Sequence, residues 1–141
     1  LPFTRAAIDE TMRLYPPAFL IARAAAGNAT VAGMAVAPKD VILIAPWLLH
    51  RHAKLWPEPN AFMPERLPPG TPPPDRDASS PCGVGPRICT AAHFALVEAT
   101  LALTKIIAAF KVELIDREPV MPIGVVTTQP DRSPLFRITP R

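Results

Sequence analysis

The chain has 141 residues, 49% of them hydrophobic, which suits one domain with its own core. A net charge of +3 without any run of lysine or arginine argues against a nucleic-acid partner, and two cysteines are too few for a disulfide framework. The 20 prolines demand long irregular connections, the apolar content is too high for disorder, and the longest apolar stretch, Val41 to Leu49, falls short of the roughly 20 residues of a membrane span.

In chain order, Pro2 to Tyr15 is predicted as a helix, with Pro2 suited to a first helical position and Pro16-Pro17 as its stop. The sequence opens at Leu1, without a methionine, directly on this helix, and no signal peptide is expected within it. The expectation is a truncated chain with uncovered apolar faces. Ala18 to Ala24 reads as extended. Val31 to Val36 and Val41 to Ala45 read as two β-rich runs joined in hairpin fashion by Ala37-Pro38-Lys39-Asp40. A short helix is expected over Pro46 to Arg51, then a mostly irregular stretch from Pro57 to Pro81. Its most irregular part is Pro68 to Pro74, kept solvated by Asp75-Arg76-Asp77. A second helix runs from Cys89 or Thr90 to Phe110; it is apolar on most sides and so expected to be buried. Lys111 to Ile115, Val125 to Gln129 and Leu135 to Ile138 read as closing strands. The fold class is therefore mainly α with small β-sheets, an α+β arrangement with its function on loops.

The chemistry concentrates at Pro81-Cys82-Gly83-Val84-Gly85-Pro86-Arg87-Ile88-Cys89. Gly83 and Gly85 let the backbone turn tightly or lie close to a flat ligand. Cys89 stands at the mouth of the second helix, where free N–H groups and the dipole favour a thiolate. Arg87 adds a positive charge. Such a thiolate suits a soft or intermediate metal centre. Two other readings of these residues stand beside it: a buried structural cysteine, or a zinc site formed by Cys82, Cys89 and His93.

The segment Cys82 to Ala91 resembles the haem-binding loop of the cytochrome P450 family, in which an aromatic residue, Gly-x-Gly-x-Arg-x-Cys and a small residue recur. Further motifs follow the family's order. Glu10-Thr11-Met12-Arg13 resembles the Glu-x-x-Arg of its K helix, and Trp47 to Arg51 with Trp56-Pro57-Glu58-Pro59 resembles the segment that follows. Phe62-Met63-Pro64-Glu65-Arg66 resembles its Pro-Glu-Arg motif. Four weak motifs in the right order make a strong signal. Two positions depart from the pattern: Cys82 stands where the family has an aromatic residue, and Ala91 where it has glycine. Cys82 implies a more polar surrounding for the thiolate, which tunes a metal centre.

The resemblance implies that residues 1–141 are the C-terminal haem-binding part of such a domain. It would comprise K helix, hairpin, Pro-rich meander, ligand loop, L helix and closing strands, and would be incomplete on the distal haem side. It implies haem b, iron protoporphyrin IX, with Cys89 as axial ligand. Arg87 and Arg23 would meet the haem propionates, and Gly83, Gly85, Cys82 and Ala91 would line the haem. Glu10, Arg13 and Arg66 would form a buried network in which Arg66 joins both partners and pins the Pro-rich loop. Phe19, Leu20 and Ile21, with Gly124, Val125 and Val126, would line a pocket for a hydrophobic substrate. The implied reaction is monooxygenation with O2, a thiolate that favours O–O cleavage, and electrons from a ferredoxin, flavodoxin or flavoprotein reductase. The distal helix would lie before Leu1, in a missing N-terminal part of the same chain, so residues 1–141 alone are expected to bind haem weakly or not at all and not to turn over. The competing class is a non-catalytic remnant or haem-binding module. A bacterial protein of this kind would be cytoplasmic, and a eukaryotic one would carry a membrane anchor outside this segment. Trp47, Trp56 and Phe62 are expected as core or loop anchors, and His50 and His52 as structural or surface residues.

Overall fold

The computed structural model describes residues 1–66 and 78–141. The irregular run Pro68 to Pro74 and its flank Asp75-Arg76-Asp77 lie outside the described residues. Helix α1, Pro2–Leu14, starts with proline in its first turn. It closes at Tyr15, whose N–H donates to the Thr11 carbonyl at 2.7 Å. Pro16 then prevents any continuation.

Four strands follow: β1 (Ile21–Ala24), β2 (Ala29–Val31), β3 (Met34–Val36) and β4 (Val41–Ile44). Their pairing corrects the sequence-based hairpin. The run Val31 to Val36 is not one strand, because Ala32 and Gly33 both take positive φ, 50° and 81°, and fold it back as β2 against β3. Two consecutive positive φ values make the tight turn that suits strand twist. β4 pairs with β1, Ile21 opposite Ile44 and Ala24 opposite Val41, so Ala37-Pro38-Lys39-Asp40 carries the chain back to β1. The Ala25 and Lys39 N–H groups extend that ladder, donating to the Asp40 and Ala25 carbonyls at 2.9 Å each.

Helix α2 is shorter than expected, Pro46–Leu49. After 3₁₀ turns at Pro64–Arg66 and Gly85–Arg87 comes α3, Ala92–Ala109. Strands β5 (Phe110–Leu114) and β8 (Phe136–Pro140) pair antiparallel, and β6 (Pro122–Gly124) pairs with β7 (Thr128–Pro130) around a turn that takes up most of the single expected strand Val125 to Gln129. The architecture is thus helical with small two-stranded antiparallel sheets, as the fold class anticipated.

The expected burial of the second helix is overturned: no residue of α3 is buried, and Phe94 is 69% exposed. Its apolar character on nearly every side calls for cover that the described residues of this chain do not supply. By length and composition α3 also enters the range of a membrane span, with a mean hydropathy of 1.5 over 18 residues, unlike the sequence-based expectation. Glu98 and Lys105 fall inside it, and charges there are costly in a bilayer. Burial centres instead on α1. Ala6, Leu14, Trp56 and Ala78 are buried apolar residues, and the side chains of Glu10, Arg13 and His50 are fully buried.

Candidate haem-thiolate site

Glu10 and Arg13 lie one turn apart on the buried face of α1, so their side chains meet. The Arg13 guanidinium donates from Nε to Glu10 Oε2 and from Nη2 to Glu10 Oε1, both at 2.8 Å. Its remaining N–H groups reach the carbonyls of His50 at 2.6 Å, Pro59 at 2.7 Å and Ala61 at 3.1 Å. Trp56 stacks on it, with the guanidinium carbon 5.0 Å from the ring centroid. Arg66 closes the cluster through Nε to Glu10 Oε1 at 3.0 Å, and donates to the Pro57 and Glu58 carbonyls at 2.7 and 3.3 Å. It meets Glu10 rather than Arg13 directly. The Met63 N–H gives Glu10 Oε1 a further bond at 3.1 Å. Two charges taken from water demand this saturation, because a buried pair is tolerable only when its donors and lone pairs are used. The result fastens residues 57–66 to α1.

His50 extends the cluster toward the ligand loop. Its Nδ1 lies 3.1 Å from the Arg13 carbonyl, and the Ser80 N–H donates to Nε2 at 2.8 Å. These partners fix a neutral imidazole with its proton on Nδ1. Burial pushes its pKa below the ordinary 6.5, the Arg13 and Arg51 charges act in the same direction, and the Arg13 carbonyl opposes them. Trp56 adds a parallel tie, its Nε1–H donating to the Ala78 carbonyl at 3.1 Å. Sequence reasoning set His50 aside as structural or surface; its only sequence signal is its place beside Trp47 and Arg51. Trp47 stacks under the Arg51 guanidinium at 3.6 Å, whereas Phe62, expected as an anchor, is 54% exposed.

From Ser80 the chain enters the loop. The Gly83 N–H donates to the Ser80 carbonyl at 3.0 Å, and Gly83 and Gly85 take φ of 80° and 70°, a region that other residues rarely enter. The Cys89 N–H returns to the Cys82 carbonyl at 3.0 Å, so the loop closes on itself. Cys82 is half-buried and Cys89 is exposed. Burial, then the Cys89 charge, push the Cys82 thiol up. Gly83 faces β1: a Cβ there would lie 3.9 Å from Ile21 Cδ1. Ala91 caps α3, and the Ala92 N–H donates to the Cys89 carbonyl at 3.3 Å. Cys89 therefore precedes the helix instead of starting it.

Arg23 and Arg87 are exposed, and among the described residues neither has a carboxylate partner. Among the described residues no group of three or more His, Cys, Asp or Glu is assembled for a metal ion, so Cys82, Cys89 and His93 are not brought together as a zinc site. An exposed cysteine on a glycine loop, with two exposed guanidinium groups that have no carboxylate partner among the described residues, suits a haem that would be held by one cysteine and by its two carboxylates.

The expected substrate residues divide. Phe19 lines a cavity of about 250 Å³ with Trp47, Pro122, Ile123, Gly124 and Thr128. Leu20, Val125 and Val126 are exposed and do not line it, and Ile21 lies by the ligand loop. Two bonds that no motif signals place this corner. Thr128 donates from N–H to the Pro17 carbonyl at 3.1 Å and from Oγ1 to the Pro16 carbonyl at 2.6 Å. They hold the β6–β7 hairpin so close to Phe19 that a Cβ on Gly124 would lie 2.6 Å from its Cζ.

The cytochrome P450 family profile matches residues 1–134. The chain is 33% identical over 142 residues to cytochrome P450 3A29 of Sus scrofa, covering 95% of this chain and 27% of that protein. It is 34% identical to cyclooctatin synthase of Streptomyces melanosporofaciens, over 86% of this chain and 27% of the relative. It is 32% identical to pentalenene oxygenase of Streptomyces avermitilis, over 100% of this chain and 32% of the relative. The chain thus spans about a quarter to a third of the length of these curated relatives. With the ordered motifs, the ligand loop and a family match over nearly its whole length, this chain belongs to the cytochrome P450 family.

Proposed function

We propose that Cys89 is the axial thiolate of a haem b and that the protein carrying this segment is a haem-thiolate monooxygenase. The observation that carries the proposal is the exposed Cys89 thiol on a loop folded by Gly83 and Gly85, closed by the Cys89 N–H to Cys82 carbonyl bond. Haem, once bound, supplies the activation of O2 that places one oxygen atom in an organic substrate and the other in water.

The chain's own residues hold and shield that chemistry. Arg23 and Arg87 bind the two haem carboxylates. The buried Glu10–Arg13–Arg66 cluster holds residues 57–66 against α1, and His50 holds Ser80 just before the loop. Phe19 and the β6–β7 hairpin offer an apolar corner, which favours a hydrophobic substrate; one relative's name says that it oxygenates pentalenene. Electrons come from a ferredoxin, flavodoxin or flavoprotein reductase. Residues 1–141 by themselves bind haem weakly or not at all and do not turn over, a reading supported by the uncovered faces of α3.

The test uses the full-length, haem-loaded protein with a reductase, a panel of hydrophobic substrates and isotopically labelled dioxygen. One labelled oxygen atom per product molecule is expected. Product oxygen drawn from water, or consumption of O2 with no substrate-dependent product, would overturn the assignment.

A further inference from the structure

We propose that Cys82 and Cys89 form a reversible intramolecular disulfide in the haem-free protein, making the ligand loop a redox-closable lock. The loop supplies the geometry. The 3.0 Å bond from the Cys89 N–H to the Cys82 carbonyl joins its two ends. That bond brings the Cys82 and Cys89 backbones alongside each other, and a disulfide asks for a Cα separation of roughly 4.4–6.8 Å. Neither residue is inside a helix or strand, so both side chains can turn without breaking an element. The loop already bends at Gly83 and Gly85. Both thiols are free; Cys89 is exposed to a small reactant and Cys82 is half-buried.

The partner is a low-molecular-weight disulfide. The Cys89 thiolate attacks one of its sulfurs, forming a mixed disulfide and releasing one thiolate. Cys82, as thiolate, then attacks the Cys89 sulfur, forming the internal bond and releasing the second. Two electrons pass from the protein to the reagent, and the two thiol protons end on the two released small thiols. Reversal needs a reducing thiol. The pairing does not depend on the haem assignment. Its consequence does: a disulfide occupies the Cys89 sulfur and blocks ligation, and bound haem protects the pair.

The haem-free full-length protein is equilibrated with oxidised and reduced glutathione, quenched with an alkylating agent, digested and read by mass spectrometry. A peptide joining Cys82 to Cys89 and lacking two hydrogens is expected, formed about 10-fold more favourably under native conditions than in urea. Cys82→Phe should leave only the glutathione adduct on Cys89. A persistent adduct on Cys89 in the unmutated protein, two alkylated thiols, or equal closure in urea would each overturn the proposal. Because this readout needs no haem, its failure is distinct from failure of the ligand assignment. That assignment is instead tested by adding haem first, which should protect both thiols in the unmutated protein.

Discussion

The Ser80 N–H donates to Nε2 of His50 at 2.8 Å, so a buried imidazole ties the approach to the ligand loop to the end of α1. The bond requires a neutral ring. Protonation would turn Nε2 from acceptor to donor and set it against the Ser80 N–H.

Acid should therefore weaken the fold through His50. Burial holds its pKa in the folded protein below 6.5. The unfolded chain takes up the proton first, so the stabilisation is complete above 6.5 and is lost as pH falls from there through the lower folded value. Denaturation midpoints measured at about pH 7.5 and about pH 5.5 should drop on acidification. His50→Gln should be less stable at the higher pH and show a shallower pH dependence. An unchanged slope in that variant would assign the acid sensitivity elsewhere.

Arg13 should be the most costly position on α1 to change. Arg13→Ala leaves the Glu10 carboxylate buried with one charge partner fewer, and losses of about 3–5 kcal/mol are expected. Arg13→Lys keeps the charge but cannot supply five directed bonds to Glu10, His50, Pro59 and Ala61. It should recover less than half of the loss. Chemical denaturation checks both; a lysine variant within about 0.5 kcal/mol of the unmutated protein would show that the fork geometry does not matter.

Gly124→Ala should push on Phe19, because the added carbon would meet the ring at 2.6 Å. Overpacking of this kind costs about 1–3 kcal/mol. Phe19→Leu in the same chain should relieve most of it, so the two substitutions should couple strongly in a double-mutant cycle. Additive effects would mean that the hairpin moves away freely despite its Thr128 bonds.

The residues that a motif names were legible because their chemistry is local. Glu10 and Arg13 share a helical face by spacing, and Gly83, Gly85, Arg87 and Cys89 form one short run. Partners set by the chain's return were not legible. Ile44 looks as though it belongs to a hairpin with Val31 to Val36, yet pairs with Ile21, because the turn hidden at Ala32-Gly33 uses up the nearer strand. Thr128 is an ordinary strand residue until Pro16 and Pro17, stripped of N–H groups of their own, present free carbonyls to it. The all-round apolarity of α3 reads as burial, but its cover must come from a surface that the described residues do not provide.

The central claim is that Cys89 ligates haem iron as a thiolate. Its most direct test is the absorption spectrum of the reduced, carbon-monoxide-bound full-length protein beside its Cys89→Ala variant. The account predicts a thiolate-type Soret band in the first and its loss in the second, with the Glu10–Arg13–Arg66 cluster untouched. A spectrum without thiolate character in the unmutated protein, or one that survives in Cys89→Ala, would contradict it.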